Sequence, residues 1–364
     1  MNKRMAKRKF FNLIMLIAMI AGIESAISDD SDQLLFESLS VLELTMPVNF
    51  DSLCRPSESP DCEYAETVFE YTGAAGAKTS VPISIRRRDG WRATKTNCQV
   101  PTLFVRFEEK DTVGTPFEGQ SSLALTSHCG KGISPQVTQS RRLPDAFESY
   151  VVNEYIGYRL YNLIADASLR VRLVRINYTN PENPRRDFKR YAFFAEHFDS
   201  LAKRLNARLL PAGSFDLSSL DLAIADQLAL FQYMVGNTDW SIQNQDNVLL
   251  LEMQNGNHVP VLFDLDMSGL VNAYYASPAP DLPIRSVKQR YYQGNCHPET
   301  DWTGLFNRFN AMRADMMGVL AETPGLRSGD RRMSSVYLDS FFNTLGLEES
   351  RESEIINACL PWPL

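Results

Sequence analysis

Three short stretches decide how this chain reads: Gly236-Asn237-Thr238-Asp239-Trp240, then Asn247-Val248-Leu249-Leu250-Leu251, then Phe263-Asp264-Leu265-Asp266. Between the last two lies Gln254-Asn255-Gly256-Asn257. Asn-Gly between apolar runs is a strong local signal for a two-residue hairpin turn. With Asn255 and Gly256 as that turn, residue 254 faces 257, and pairing outward sets Asn247 opposite Asp264. An amide and a carboxylate then meet at the open end of a hairpin, with Asp239 in the loop leading in. This is the donor set that phosphoryl-transfer sites use: one Asp at the attacking hydroxyl, an Asn and an Asp on Mg²⁺. Asn and Asp also cap strands and turns in most proteins; the register is what joins these three.

The chain has 364 residues, 44% apolar and 22% charged, ordinary proportions for a globular protein. Lys3, Arg4, Lys7, Arg8 and Lys9 precede an apolar run from Phe10 to Ile23. That pattern reads as a secretory signal over residues 1–27, the apolar run being short for a membrane anchor. Its removal predicts an exported, periplasmic or extracellular protein with no stable membrane insertion. It also strips basic residues from a chain whose net charge is already −7, which argues against a nucleic-acid partner. The six cysteines (54, 62, 98, 129, 296 and 359) form an even set, as expected for disulfides in an exported chain. Cys54 and Cys62 bracket a turn-rich loop and make the natural local pair; the remaining connectivity stays open. There is no CxxC and no HxxxH spacing, so a zinc site is not expected.

Outward from the hairpin, the pattern divides the chain. Residues 28–45 read as a helix or a loosely attached arm. Strands are predicted at 66–71, 81–86 and 102–107, a helix over 147–165, and further strands over 170–178 and 190–196. A second helix carries Leu220, Ile224, Leu228, Phe231 and Val235 on one stripe, capped by Ser218 or Ser219. It delivers the chain straight into Gly236. Helical patterns return around 302–321 and 333–345. The expected fold class is therefore α+β, a two-lobed protein kinase-like fold. Its strand-rich N-lobe with one long helix spans 28–196, and its helical C-lobe with the embedded hairpin spans 197–364.

At this point the residues resemble the spore coat protein H (CotH) family of secretory-type atypical kinases. Val105-Arg106-Phe107 is similar to that family's Ile-Lys-Phe strand, and Phe117-Glu118-Gly119-Gln120 with Leu123-Ala124-Leu125 to the strand after it. Glu154 to Leu160 resembles its Asn-Tyr-Leu-Ala-Tyr-Lys-Leu helix. Tyr191 to Asp199 resembles the segment crossing between lobes, Gly236 to Trp240 its Gly-Asn-Trp-Asp loop, and Val259 to Asp266 its Ile-Pro-Trp-Asp-Leu-Asp strand. The resemblance implies an ATP-dependent phosphotransferase acting with Mg²⁺ or Mn²⁺ on a hydroxyl of an exported protein or glycan. The alternative is a catalytically inactive pseudokinase that serves as an envelope binding or scaffolding module.

The roles carry over residue by residue. Asp239 is the expected catalytic residue, at the acceptor hydroxyl. Asp264 and Asp266 are expected on the metal, with Asn247 as the amide ligand by hairpin register and Asn244 by the family's spacing. Arg106 stands where the resemblance puts a phosphate-binding cation, Glu154 is its expected partner, and Glu196 or His197 marks the hinge where backbone would meet a purine. The chain departs from the family in having neither a GxGxxG loop nor the usual strand lysine.

Overall fold

Alternation sets the first strand. In β1 (Leu42–Pro47) the side chains of Leu42, Leu44 and Met46 are buried, and those between them are not. The computed structural model describes residues 34–361, apart from 55–60, 74–75, 91, 93–97 and 130–142. The expected signal segment lies outside the described residues.

After β1 come β2 (Ala65–Thr72), β3 (Lys78–Arg87), β4 (Leu103–Arg106), a single turn of helix α1 (Glu109–Thr112), and β5 (Ser122–Thr126). The long helix α2 (Leu143–Asn162) leads to β6 (Val171–Thr179) and β7 (Phe188–Ala195). Hydrogen bonding runs β1-β2-β3-β4-β5-β7-β6 and closes on itself, because β6 returns to pair parallel with β1, Leu42 level with Val174. The interior is aromatic: Phe69, Phe107, Phe117 and Phe194 pack with ring centroids 5.1–6.3 Å apart.

The remainder packs outside this barrel. It comprises α3 (Phe198–Arg204), β8 (Arg208–Leu209), α4 (Leu222–Val235), the hairpin β9 (Val248–Glu252) and β10 (His258–Leu262), then α5 (Trp302–Ala311), α6 (Arg313–Glu322) and α7 (Ser328–Gly346). β10, β9 and β8 form a separate three-stranded sheet. A second core joins α4, α7 and this hairpin to α2 and to the outward residues Leu173 and Phe193 of β6 and β7.

The two-lobed kinase-like fold expected from sequence is therefore corrected: the chain builds a closed seven-stranded mixed barrel with a small sheet and helices beside it. The physical reason lies in β1. Residues 28–45 read as a helix or an arm, yet Leu42–Pro47 supply the strand that bridges β2 to β6 and leaves that sheet without a free edge. Two smaller expectations are also revised. Helix α4 begins at Leu222 with Asp221 as its cap, accepting from the Ile224 amide at 3.1 Å; Ser218 and Ser219 lie in a preceding 3₁₀ turn. The hairpin loop has three residues, with Met253 paired to Asn257 and Gly256 at φ +85°, so Asn247 is level with Phe263 and not with Asp264.

All six cysteines pair: Cys54 with Cys62, Cys98 with Cys129, and Cys296 with Cys359. Among the described residues no helix is long and apolar enough to cross a membrane. The bonds suit an oxidising compartment. The Cys296–Cys359 bridge spans a sequence separation of 63. Replacing both residues by Ala is expected to cost about 4 kcal/mol by chain-entropy reasoning. Urea denaturation would read it, and an unchanged midpoint would show that the bridge does not restrain the unfolded chain.

Candidate functional site

Helix α4 is buried from Asp226 to Val235 and ends at Gly236, φ +66°. A Cβ there would overlap the Tyr337 hydroxyl, so glycine is required both for the left-handed turn and for the close approach. Asn237 is wholly buried and organises the loop beyond it. Its Nδ2 donates to Gln232 Oε1 at 3.1 Å, its Oδ1 accepts from the Asp239 amide at 3.1 Å, and its carbonyl accepts from the Trp240 indole at 3.1 Å. Asp239 is therefore presented to solvent on a fixed backbone.

The hairpin supplies the opposite wall. Phe263 N donates to the Asn247 carbonyl at 3.0 Å, closing the ladder, and both Asn247 (φ 50°) and Asp264 (φ 55°) then turn left-handed. Asn and Asp tolerate that conformation better than other side chains. The Asn247 Nδ2 donates to Asp239, to its carbonyl at 2.7 Å and to Oδ2 at 3.0 Å. The Asp264 amide donates to the Tyr158 hydroxyl of α2 at 2.8 Å, and Asp266 accepts from the Tyr275 hydroxyl at 2.9 Å.

Arg92, beyond the end of β3, reaches into this wall. Its guanidinium lies 3.2 Å from Glu154, 2.7 Å from Asp264 and 3.4 Å from Asp266. Asp239, Asn247, Asp264, Asp266, Arg88 and Arg92 all line a cavity of about 370 Å³. Asp239 and Asn247 also line a second cavity, of about 690 Å³.

The acids are crowded, and their protonation reflects it. Burial pushes Glu154 up to about 8 against the pull of Arg92, with Asp264 and Asp266 adding to the rise. Burial likewise pushes Asp266 up to about 6, Asp264 again adding to it. Asp239, whose side chain still reaches solvent, is raised by partial desolvation at the cavity and by Asp264, while its bond from Asn247 opposes the shift. Burial pulls Arg92 down, but Asp266, Glu154 and Asp264 more than offset it and hold the guanidinium well above its usual range.

A carboxyl whose folded value is raised gives stability that is present below its unfolded value and lost as pH climbs through the folded one. For Asp266 that window runs from 3.8 to about 6, and for Glu154 from 4.5 to about 8. The metal-free protein is accordingly expected to lose several degrees of thermal stability between pH 5 and 8. Glu154→Gln, which keeps an acceptor for Arg92, should flatten the part above pH 6. Melting curves across that range test it, and a profile unchanged by Glu154→Gln would show that Glu154 does not titrate there.

Of the residues expected from sequence, Asp239, Asn247, Asp264 and Asp266 come together, and Glu154 joins them through Arg92. Asn244 does not line this cavity; it lies on the larger one, its amide donating to Ser241 Oγ at 3.1 Å. Arg106 is elsewhere: exposed on β4, its guanidinium is stacked 3.9 Å from the Tyr64 ring centroid. Glu196 is buried in a separate ion cluster with Arg170 (2.9 Å) and Arg204 (2.8 Å), and its backbone amide is spent on the Arg170 carbonyl. A purine would find that carboxylate and that amide already engaged. Arg88, Arg92, Tyr158 and Tyr275 were not identified from sequence. The one signal was the basic run ending at Arg88, with Arg92 just beyond it.

Among the described residues no set of three or more His, Cys, Asp or Glu side chains is gathered to hold a metal ion, and Arg92 stands between the carboxylates. The chemistry of the set nevertheless fits a hard cation. Three carboxylates share one guanidinium, and the flanking donors are oxygens of Asp239 and Asn247, the kind Mg²⁺ or Mn²⁺ prefers. No family model matches the chain, and no characterised protein matches it in sequence.

Proposed function

We propose that this chain is an exported phosphotransferase that moves the terminal phosphoryl group of a nucleoside triphosphate, ATP being the expected one, to a hydroxyl. The observation that carries this reading is the excess of acid around Arg92: Asp264 and Asp266 lie within 3.4 Å of a single guanidinium, and Asp239 lines the same cavity. Such a surplus suits a divalent cation accompanied by phosphates. Asp264, Asp266 and the side-chain oxygen of Asn247 would hold Mg²⁺ or Mn²⁺, which supplies neutralisation of the phosphate charge. Arg88 and Arg92 would contact the phosphates, the part assigned to Arg106 from sequence; Arg suits that part through its bidentate fork.

In the transfer itself, the acceptor oxygen attacks the γ-phosphorus and the bond to the β,γ-bridging oxygen breaks. The nucleoside diphosphate leaves, and the hydroxyl proton passes to the Asp239 carboxylate. Asp239 suits that role because it is exposed, fixed by Asn247 and Asn237, and raised above the usual carboxylate range. The resemblance to the CotH family supports this proposal through these site residues alone, since its fold does not carry over.

One observation favours a second reading. Arg92 bonds the very carboxylates a metal would use, as in a non-catalytic binding module whose site is filled by its own cation. A thermal-shift titration separates the two. The phosphotransferase predicts stabilisation by millimolar ATP that requires Mg²⁺ or Mn²⁺; no metal-dependent stabilisation supports the binding module.

A further inference from the structure

The larger cavity, about 690 Å³, meets the first at Asp239 and Asn247, so one exposed carboxylate serves both. Its size falls within the roughly 300–1,000 Å³ of small-molecule pockets. Its wall is distinctive in chemistry. Amides, with Gln243, Asn244, Gln293 and Asn295 among them, stand beside the carboxylates of Asp226, Asp239, Asp246 and Asp281, and no Lys or Arg lines it among the described residues. The half-buried apolar side chains of Phe215 and Ile242 supply a non-polar face.

An amide offers both a donor and an acceptor, the match for a hydroxyl, which does the same. The absence of cations leaves nothing to bind a carboxylate or phosphate on the acceptor, and the aspartates present would repel one. Asp226 is bonded to His297 at 2.9 Å and Asp239 accepts from Asn247 at 3.0 Å, while Asp246 and Asp281 are exposed on the same wall. Carboxylates accept from hydroxyls as the amides do, so acids and amides together, set against the apolar face, suit the ring and hydroxyls of a sugar. We infer that this cavity is the acceptor site and that the acceptor is a neutral sugar, presenting a ring hydroxyl to Asp239. The inference rests on the phosphotransferase reading and adds its substrate class.

The test uses the full chain, secreted with its disulfides intact, and needs no turnover. Neutral trisaccharides of gluco, manno and xylo configuration, a uronic-acid trisaccharide, and a Lys/Arg-rich serine peptide are each titrated by calorimetry and saturation-transfer NMR. At least one neutral trisaccharide is expected to bind with a dissociation constant below about 1 mM. The pair Gln243→Ala and Asn244→Ala should weaken it about tenfold or more, as the loss of two side-chain hydrogen bonds does. The same pair should leave Mg²⁺-ATP binding unchanged, and Asp264→Asn should leave the sugar unchanged. Binding of the peptide or the uronic acid in place of neutral sugars overturns the inference. So does the absence of any ligand from the panel while Mg²⁺-ATP still binds, and in that case the nucleotide site stands. Sugar binding without any Mg²⁺-ATP binding leaves the cavity as a sugar site and sinks the phosphotransferase instead.

Discussion

Asp239→Asn is expected to slow phosphoryl transfer by roughly two to four orders of magnitude, while Mg²⁺-ATP binding stays close to that of the parent chain. The substitution is nearly isosteric, and the backbone of the loop is held independently, by Asn237 to the Asp239 amide at 3.1 Å and by Asn247 to its carbonyl at 2.7 Å. An Asn oxygen can also accept the remaining Asn247 bond. What disappears is the basic oxygen at the junction of the two cavities. Initial rates with radiolabelled ATP, beside nucleotide titrations on the same preparation, give both numbers. Equal losses of binding and rate would mean that Asp239 belongs to the nucleotide side, and an undiminished rate would remove it from the chemistry.

Asp264→Asn carries the second large expectation: loss of Mg²⁺-dependent nucleotide binding by about a hundredfold or more, with the fold intact. Asn is the appropriate replacement because residue 264 sits at φ 55°, which Asn accepts and which would strain Ala by about 1 kcal/mol or more. Arg92 keeps Glu154 and Asp266 when Asp264 is neutral, so no buried charge is abandoned. Removing one carboxylate also eases the repulsion that raises Asp239, Glu154 and Asp266. Metal-free melting should therefore change little or rise. If Asp264 were only a structural partner of Arg92, the variant would melt lower and bind Mg²⁺-ATP as before.

Local patterns in the chain were informative where the structure is local. The stripe ending at Val235, the hairpin and the strands at 171–179 and 188–195 are all present, within a few residues of where the sequence pattern puts them. The gathering of Asp239, Asn247, Asp264 and Asp266 comes from one helix end and one hairpin, both short-range features. Its detail slipped by one residue because Asn255-Gly256 suits a two-residue turn and the three-residue loop equally, Gly256 being left-handed in either. Arginine choice was beyond local reading. Among neighbouring arginines, Arg87 is buried against the Phe50 carbonyl, Arg106 stacks on Tyr64, and Arg92 reaches the acids. Only the assembled barrel distinguishes them. Glu196 was set at a hinge by the resemblance alone, and its carboxylate is claimed by Arg170, 26 residues upstream, and by Arg204 on α3.

The parallel closure of β1 on β6 has a consequence for how the protein comes into being. Leu42 cannot meet Val174 until roughly 130 further residues have been made and folded back, a loop-closure demand of the kind that makes non-local β-topologies slow to form. Until then the first strands form an open ribbon with edges exposed and no sealed interior. For the exported protein proposed above, that delay would keep the chain pliable during translocation. The same delay leaves two unpaired strand edges open to association with neighbouring chains, so refolding yield in vitro should fall as protein concentration rises.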